Sequence, residues 1–247
     1  MAEPEAIPAA TVIVMRERGG APELLFVERA AAMSFAGGAL VFPGGRVDPG
    51  DRLLAATMAG DADDVAGRIA AVRETLEEAG VAVGLEIPAA AIPELGRRLY
   101  AGEAMAALLD ELGGALHLDR LVPFARWLPG NVSHKVFDTR FYLARAPRDA
   151  EPVVDGNENV RVFWASAQGV LDAADRGDVT IIFPTRRNLE RLARFASFEE
   201  AAADAAAHPV RIVTPWIEER ADGRHLCIPD DLGYPVTSQP LAEAMRG

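Results

Sequence analysis

One short run of charged residues in this 247-residue chain could bind a divalent cation. Arg73, Glu74, Glu77 and Glu78 lie close together and are followed by Gly80. At about 100° per residue the three glutamates share one side of a helix, opposite an apolar stripe. Like charges on adjacent turns repel, and Mg²⁺ prefers carboxylate oxygens together with substrate phosphate. The spacing therefore predicts a site for Mg²⁺ or Mn²⁺.

The competing interpretation is that these side chains only solvate the outer face of an amphipathic helix. A single pair of adjacent glutamates would favour that interpretation. Here the triplet has an arginine before it and a glycine after it, and a Gly-Gly loop at Gly44 and Gly45 precedes the helix. In either case we expect the carboxylate face to be exposed to solvent.

The composition argues against several classes of protein and partner. The chain has 25 basic and 37 acidic residues, a net charge of −12, which opposes binding to nucleic acid or to an anionic membrane. Lys135 is the only lysine, so a phosphate loop ending in Gly-Lys-Ser/Thr is absent. Cys227 is the only cysteine, which excludes an internal disulfide and favours a buried apolar role. The first residues lack the basic start and apolar core of a secretion signal, so we expect a cytoplasmic protein.

The flanking sequence indicates both sheet and helix. Residues 11–16 and 23–29 are rich in apolar residues and are separated by Gly19-Gly20-Ala21-Pro22, which predicts a β-hairpin. A helix should begin near Asp63-Asp64 and end at Gly80. The glycines and prolines in residues 43–51 predict a shaped loop without regular structure. Further strands are expected at 124–128, 137–144 and 160–164, a helix or helix pair between 97 and 112, helices at 167–176, 184–195 and 198–207, and a hairpin formed by 211–218 and 225–228.

Taken together, these residues resemble the Nudix hydrolase signature, Gly-x5-Glu-x7-Arg-Glu-U-x-Glu-Glu-x-Gly-U, where U is apolar. Gly45 matches its first glycine, and the run from Arg73 to Val81 matches its second half. Asp51 replaces the first glutamate, Thr75 occupies an apolar position, and 21 residues separate Asp51 from Arg73 where the signature has seven. This delayed second half is similar to the branch that contains the peroxisomal acyl-coenzyme-A diphosphatases, and residues 42–48, 124–129, 137–142 and 184–189 extend the likeness.

The resemblance implies an α/β fold, a Nudix-like α/β/α sandwich with a mixed sheet. It also implies one elaborated domain over residues 1–247, with a helical insertion at about 96–118 and a C-terminal helical extension at about 184–208. The implied activity is metal-dependent hydrolysis of a diphosphate in a small nucleoside diphosphate-X substrate. Coenzyme A and acyl-coenzyme A are candidates for that substrate, beside ADP-ribose and dinucleotides.

The resemblance also assigns roles to residues. Glu74, Glu77, Glu78 and the backbone carbonyl of Gly44 would bind the metal, and Arg73 would orient the glutamates. Either Glu74 or Glu158 would accept a proton from the attacking water, and the sequence does not choose between them. Substrate binding is predicted for Gly45, where the backbone can approach closely, and for three arginines whose forks match phosphate oxygens, Arg29, Arg46 and Arg140.

Two alternative functions remain open. Because Asp51 and Thr75 depart from the signature, the chain could be a ligand-sensing or regulatory module that keeps this fold and has lost catalysis. Retention of the three helix glutamates argues against that alternative. Nucleic-acid binding or cap hydrolysis is disfavoured by the acidic balance and by the lack of a basic run.

Overall fold

A computed structural model of the chain describes residues 6–31, 36–129, 136–154 and 159–244. The strands in this part of the chain are β1 (Ile7–Arg16), β2 (Glu23–Arg29), β3 (Ala39–Val41), β4 (Gly44–Arg46), β5 (Leu85–Glu86), β6 (Ala115–Leu116), β7 (Val122–Trp127), β8 (Phe137–Arg145), β9 (Asn159–Ser166), β10 (Thr180–Ile181), β11 (Ile212–Val213), β12 (Trp216–Arg220), β13 (Gly223–Cys227) and β14 (Ser238–Pro240). The helices are α1 (Pro49–Ala55), α2 (Ala62–Ala79), α3 (Ile92–Tyr100), α4 (Met105–Leu112), α5 (Ala167–Asp175), α6 (Phe183–Leu192), α7 (Phe198–Ala207) and α8 (Leu241–Ala244).

A mixed sheet forms the centre of the fold. Among the described residues nine strands join it, in the order β10-β3-β2-β1-β8-β7-β11, with β4 paired to β1 and β9 paired to β2. The pairs β1–β8, β3–β10 and β7–β11 are parallel, and the other pairs in this sheet are antiparallel. The predicted hairpin is confirmed, because β1 and β2 pair antiparallel with Met15 opposite Leu24.

Helices cover both faces of this sheet. Side chains of a strand point alternately to the two faces, and β1 shows this directly. Val12 and Val14 lie in the buried apolar cluster that also contains residues of α2, α3 and α4. Ile13 and Met15 lie in the second cluster, with residues of α5, α6 and α7. The expected α/β/α sandwich with a mixed sheet is therefore confirmed.

Helix α2 is the element that carries the glutamates. Its N-cap is Asp61, whose side chain accepts a hydrogen bond from the backbone N–H of Asp64 at 2.8 Å. It ends at Gly80, which adopts the left-handed conformation with φ +65°. The predicted helix is confirmed, and it begins at Ala62, one residue before the expected start.

The prediction that residues 43–51 lack regular structure was wrong. The segment contains β4, which pairs antiparallel with β1, and the start of α1. A Cβ atom at Gly44 would lie 2.5 Å from the carbonyl oxygen of Ala10, so glycine allows the strand to pack here rather than preventing it. Helix α1 starts from a capping box between Asp48 and Asp51, with Pro49 in its first turn.

The remaining expectations were largely confirmed. The helix pair is α3 and α4, of which α3 begins at Ile92, before the expected boundary of the insertion, and α6 and α7 occupy the expected C-terminal range. The C-terminal hairpin forms between β12 and β13. Its first strand is shorter than expected, because Ile212–Val213 forms the separate strand β11, which pairs with β7. Pro215, which lies between β11 and β12, cannot donate a hydrogen bond to a neighbouring strand.

Cys227 is buried, as expected. In the described part of the chain no helix is both long and apolar enough to cross a membrane.

Candidate active site

The three glutamates of α2 lie against the sheet, so the expectation of a solvent-exposed carboxylate face was wrong. Glu78 is only 5% exposed. Strand β4 covers this side of the helix so closely that a Cβ atom at Gly45 would lie 2.3 Å from the Glu74 carboxylate. Helical periodicity placed the glutamates on one side correctly, but it could not show that a short glycine strand packs on that side.

Arg73 holds this arrangement together. Its guanidinium donates two hydrogen bonds to the Asp51 carboxylate, at 2.9 and 3.1 Å, and one to the backbone carbonyl of Arg46 at 2.9 Å. It also donates to Glu74 at 2.8 Å and to Glu77 at 3.2 Å. Burial by itself would lower the pKa of Arg73, but the Asp51 hydrogen bonds and the surrounding carboxylates raise it above its ordinary value. Arg73 therefore stays charged and fixes one oxygen of Glu74 and one of Glu77.

Glu78 is the most deeply buried of the three carboxylates. Its Oε2 atom accepts a hydrogen bond from the backbone N–H of Gly44 at 2.9 Å, and Arg29 lies 3.9 Å from Oε1. Burial, together with the charge of Glu74, raises the pKa of Glu78 to about 8. The Gly44 bond, the Asn159 side chain and Arg29 oppose that rise. Without a cation, Glu78 is therefore largely protonated near neutral pH.

The other two carboxylates are shifted in the same direction. Burial raises the pKa of Glu77 to about 7, against the opposing charge of Arg73. Burial also raises the pKa of Glu74, again against Arg73. Arg73 alone therefore does not compensate for placing three carboxylates in this position.

The donor set fits a hard divalent cation. It consists of carboxylate oxygens, and within the described residues the second oxygen of Glu74 and of Glu77 accepts no hydrogen bond. A dication would supply the missing positive charge. As the side chains stand, no three Asp, Glu, His or Cys side chains in the described ranges converge on one point, so the glutamates must rotate to bind an ion together.

The structure brings two of the three predicted substrate arginines to the carboxylates. Arg29 lies beside Glu78, and the exposed Arg46 accepts the Arg73 hydrogen bond through its carbonyl. Arg140 is elsewhere. It lies on β8 against Gly67, about 10 Å before Glu74 along α2. The fully buried Ala10 separates it from Gly45 across the sheet.

Several site features were not visible in the sequence. Asp51 was matched to a signature position, but its pairing with Arg73 spans 22 positions and is a tertiary contact. Asn159 was not predicted as a neighbour of Glu78. The only sequence feature that pointed towards Asn159 was its position directly after Glu158, which lies outside the described residues. Thr75 fits its buried position because its hydroxyl donates to the carbonyl of Ala71 at 2.7 Å. Gly44 touches Glu78 through its N–H, and a carbonyl ligand from Gly44 remains a prediction.

Replacing Gly45 with alanine should impair metal binding while preserving the fold. The new Cβ atom would overlap the end of the flexible Glu74 side chain, which can move aside but then leaves its position beside Arg73. We expect Mg²⁺ affinity, measured by isothermal titration calorimetry, to fall about tenfold or more.

Two matched glycines control for this change. At Gly50 a Cβ atom meets nothing within 4 Å, so Gly50→Ala should bind Mg²⁺ normally. At Gly44 the overlap is with backbone of β1, so Gly44→Ala should lower the unfolding temperature. Equal Mg²⁺ affinity for Gly45→Ala and the wild type would contradict the placement of Glu74.

The stabilisation by Mg²⁺ should grow with pH. Glu77 and Glu78 have folded-state pKa values of about 7 and 8, above the ordinary value of 4.5. The metal-free fold therefore loses stability as the pH rises from 4.5 through 8. A cation favours the ionised forms and reverses this trend. Thermal unfolding at pH 6 and pH 8.5, with and without Mg²⁺, should give a larger metal-induced rise in Tm at pH 8.5. An equal rise at both pH values would show that these carboxylates do not bind the ion.

Comparison with known proteins gives two informative similarities. No model of a known protein family matches the chain. The chain is 27% identical over 278 residues to the acyl-coenzyme A diphosphatase NUDT19 of Gallus gallus. This alignment covers 86% of this chain and 73% of that protein. It is 31% identical to a NUDIX hydrolase from Alicyclobacillus acidocaldarius of known crystal structure, with a TM-score of 0.73 over 82% of this chain and 97% of that one.

Proposed function

This chain belongs to the Nudix hydrolase family and is a pyrophosphohydrolase of the Nudix type, and from that premise we propose that it hydrolyses the diphosphate of a nucleoside diphosphate-X substrate with Mg²⁺ or Mn²⁺. One observation carries the proposal. Three largely covered carboxylates on α2 have raised pKa values, Glu78 and Glu74 contact Gly44 and Gly45, and Arg73 holds Glu74 and Glu77. Such a cluster costs stability without a cation, so a binding role explains its presence better than a structural one.

Each residue at the site has a proposed role that follows from its position. Glu74, Glu77 and Glu78 would hold the ion, and Arg73 orients Glu74 and Glu77 for it. When bound, the ion would polarise a phosphoryl oxygen and lower the pKa of the attacking water. Arg29 and Arg46, which border the carboxylates, would bind the remaining phosphate oxygens.

The general base is proposed to be Glu74 or Glu158. Glu74 lies on the site side of α2, over Gly45. Glu158 precedes Asn159, whose side chain lies at Glu78. Comparing the pH dependence of kcat in Glu74→Gln and Glu158→Gln would distinguish them, because loss of the base removes the acidic limb of the profile.

For the substrate, we propose coenzyme A or an acyl-coenzyme A. The support is the similarity to the Gallus gallus acyl-coenzyme A diphosphatase over 86% of this chain. Cleavage would place water oxygen on one phosphorus and release 3′,5′-ADP and a phosphopantetheine. We do not assign Arg140 to diphosphate binding in this proposal, because it lies against Gly67, away from the carboxylates.

A panel of diphosphates incubated with Mg²⁺ and with Mn²⁺, with products identified by mass, tests the proposal. The panel includes coenzyme A, ADP-ribose and NADH. We expect cleavage between the two phosphorus atoms and no product in excess chelator. If coenzyme A is cleaved with a kcat/KM no higher than that of both other substrates, the coenzyme A assignment is wrong and a general nucleoside diphosphate hydrolase is the better description. Lack of any metal-dependent product would favour the ligand-sensing alternative.

A further inference from the structure

A second cluster of charged residues lies beside the N-terminal half of α2, away from the three glutamates. Arg126 on β7, Arg140 on β8 and Arg211 just before β11 line a pocket of about 370 Å³ there. Arg140 packs against Gly67 of α2, about 10 Å from Glu74 along the helix axis. We call this the arginine pocket, and it is separate from the carboxylate site.

The strand register places these arginines together. In the antiparallel β7–β8 pair, Arg126 lies directly opposite Arg140. Side chains in such positions lie close together on one face of the sheet, and like charges there are destabilising. Ile212 pairs with Arg126 in the parallel β7–β11 ladder, which brings the preceding Arg211 to the same pocket. The sheet therefore holds three positive charges in a place where two already repel each other.

The carboxylates around the arginine pocket are each already paired with an arginine. These pairs are Asp138 with Arg126 at 2.8 Å, Asp231 with Arg211, Asp64 with Arg68 at 2.7 Å, and Asp63 with Arg52 at 2.8 Å. Of these carboxylates only Asp64 lines the pocket, and it also accepts a hydrogen bond from the Tyr142 hydroxyl at 2.9 Å. Arg140 makes no ion pair with any carboxylate in the described parts of the chain. Its positive charge is therefore available to an anion.

The positive charge of the pocket also acts on its surroundings. The hydrogen bond from Arg52 lowers the pKa of Asp63, and the charges of Arg140 and Arg126 lower it further, although neither of these two forms an ion pair with Asp63. The field of the two opposed arginines therefore extends to the mouth of the pocket, where it would attract an anion from solution.

The remaining walls of the arginine pocket are mainly apolar. They come from Pro123, Ala125, Phe141, Tyr142, Val210 and Ile212. Val210 and Ile212 are 38% and 44% exposed, so an organic group beside the arginines would cover them. The volume is larger than a phosphate ion and lies at the small end of the range for ligand sites. The pocket has room for a phosphate group and a small organic remainder.

We propose that the arginine pocket binds a phosphate group, either as free inorganic phosphate or as part of a small phosphomonoester. Guanidinium groups bind phosphate oxygens through paired, charge-assisted hydrogen bonds. The inference does not depend on the proposed diphosphate hydrolysis, because the pocket shares no residue with the carboxylate site. A phosphate here would offset the repulsion between Arg126 and Arg140, so it should also stabilise the fold against heat.

Isothermal titration calorimetry with inorganic phosphate tests the site. Excess chelator keeps metal ions from the glutamates, and chloride holds the ionic strength constant. We expect Arg140→Gln to bind phosphate at least tenfold more weakly than the wild type, because it loses a charged, forked donor. The variant should fold, because it also loses one of two opposed like charges. Arg211→Gln, at an exposed position, is a second variant expected to weaken binding, and circular dichroism checks both.

Two control variants locate the binding. Arg224→Gln removes an exposed arginine on β13 that does not line the pocket, so it should bind phosphate normally. Arg46→Gln removes an arginine that borders the carboxylates, and it should also bind phosphate normally without metal. Loss of binding in Arg46→Gln, with normal binding in Arg140→Gln, would place the phosphate beside the carboxylates. That result overturns the arginine pocket and leaves the proposed hydrolysis intact.

The same titration with adenosine monophosphate distinguishes the two sources of the phosphate group. Tighter binding than that of inorganic phosphate, lost in Arg140→Gln, indicates a phosphomonoester, and binding no tighter indicates free phosphate. A phosphate-induced rise in Tm that is present in the wild type and absent in Arg140→Gln further supports the pocket. Failure of the wild type to bind either ligand at millimolar concentration overturns the proposal. Unchanged affinity for both ligands in Arg140→Gln and Arg211→Gln also overturns it.

Discussion

The Glu78→Gln variant is expected to lose at least a hundredfold in metal-dependent turnover and to unfold at a higher temperature than the wild type at pH 8.5 without metal. Glutamine keeps an oxygen to accept the Gly44 hydrogen bond but carries no charge for a cation. Because burial raises the pKa of Glu78 to about 8, ionising it at pH 8.5 destabilises the fold, and the amide avoids this penalty. Steady-state hydrolysis and thermal unfolding measure the two effects.

The pH dependence makes this prediction specific. At pH 5 Glu78 is protonated in the fold, so the difference in Tm between variant and wild type should be small and should grow towards pH 8.5. Glu219→Gln, at an exposed position on β12, should change neither turnover nor this pH dependence. Full turnover by Glu78→Gln would exclude Glu78 as a metal ligand.

Removing the Arg73 side chain should have the largest effect on stability. Arg73→Ala would leave Asp51, which is 3% exposed, without its bidentate partner. Breaking a buried ion pair by removing one partner costs about 3–5 kcal/mol. We expect urea unfolding to show a loss of this size in the free energy of unfolding.

Two further variants separate geometry from charge. Arg73→Lys keeps the charge but loses the planar fork, so it should recover part of the stability but not the simultaneous contacts to Asp51, Glu74 and Glu77. Adding Asp51→Asn to Arg73→Ala removes the unpaired charge and should restore part of the loss, which a double-mutant cycle quantifies. Additive effects of the two substitutions would contradict direct pairing.

Local sequence rules predicted the elements that carry the site. The β1–β2 hairpin follows from apolar runs around a Gly-Pro turn, and α2 follows from its aspartates and Gly80. They failed at β4, because Gly44 is required by close packing on β1 and Gly45 by close packing on Glu74 of α2, which only the tertiary structure shows. The start of α1 was detectable, since Asp48, Pro49 and Asp51 have the spacing of a capping box.

The sequence predicted which residues form the site, but not how deeply they are buried or which residues surround them. Residue types and spacing indicated the three glutamates and Arg73. Their burial, and the proximity of Arg29 and Asn159, depend on strands that are distant in sequence. Arg140 was a reasonable candidate by residue type, but the register of β8 on β1 places it beyond the buried Ala10.

The contacts of Arg73 with Asp51 and the Arg46 carbonyl also bear on where the gene could accept new sequence. These contacts fix residues 44–51 to α2, while residues 56–61 between them are exposed. Doubling the length of such a closed loop costs only about 0.6 kcal/mol. A reporter peptide or a small folded domain inserted between Met58 and Gly60 should therefore leave the carboxylates in register, which makes this loop a practical fusion point for biosensor engineering.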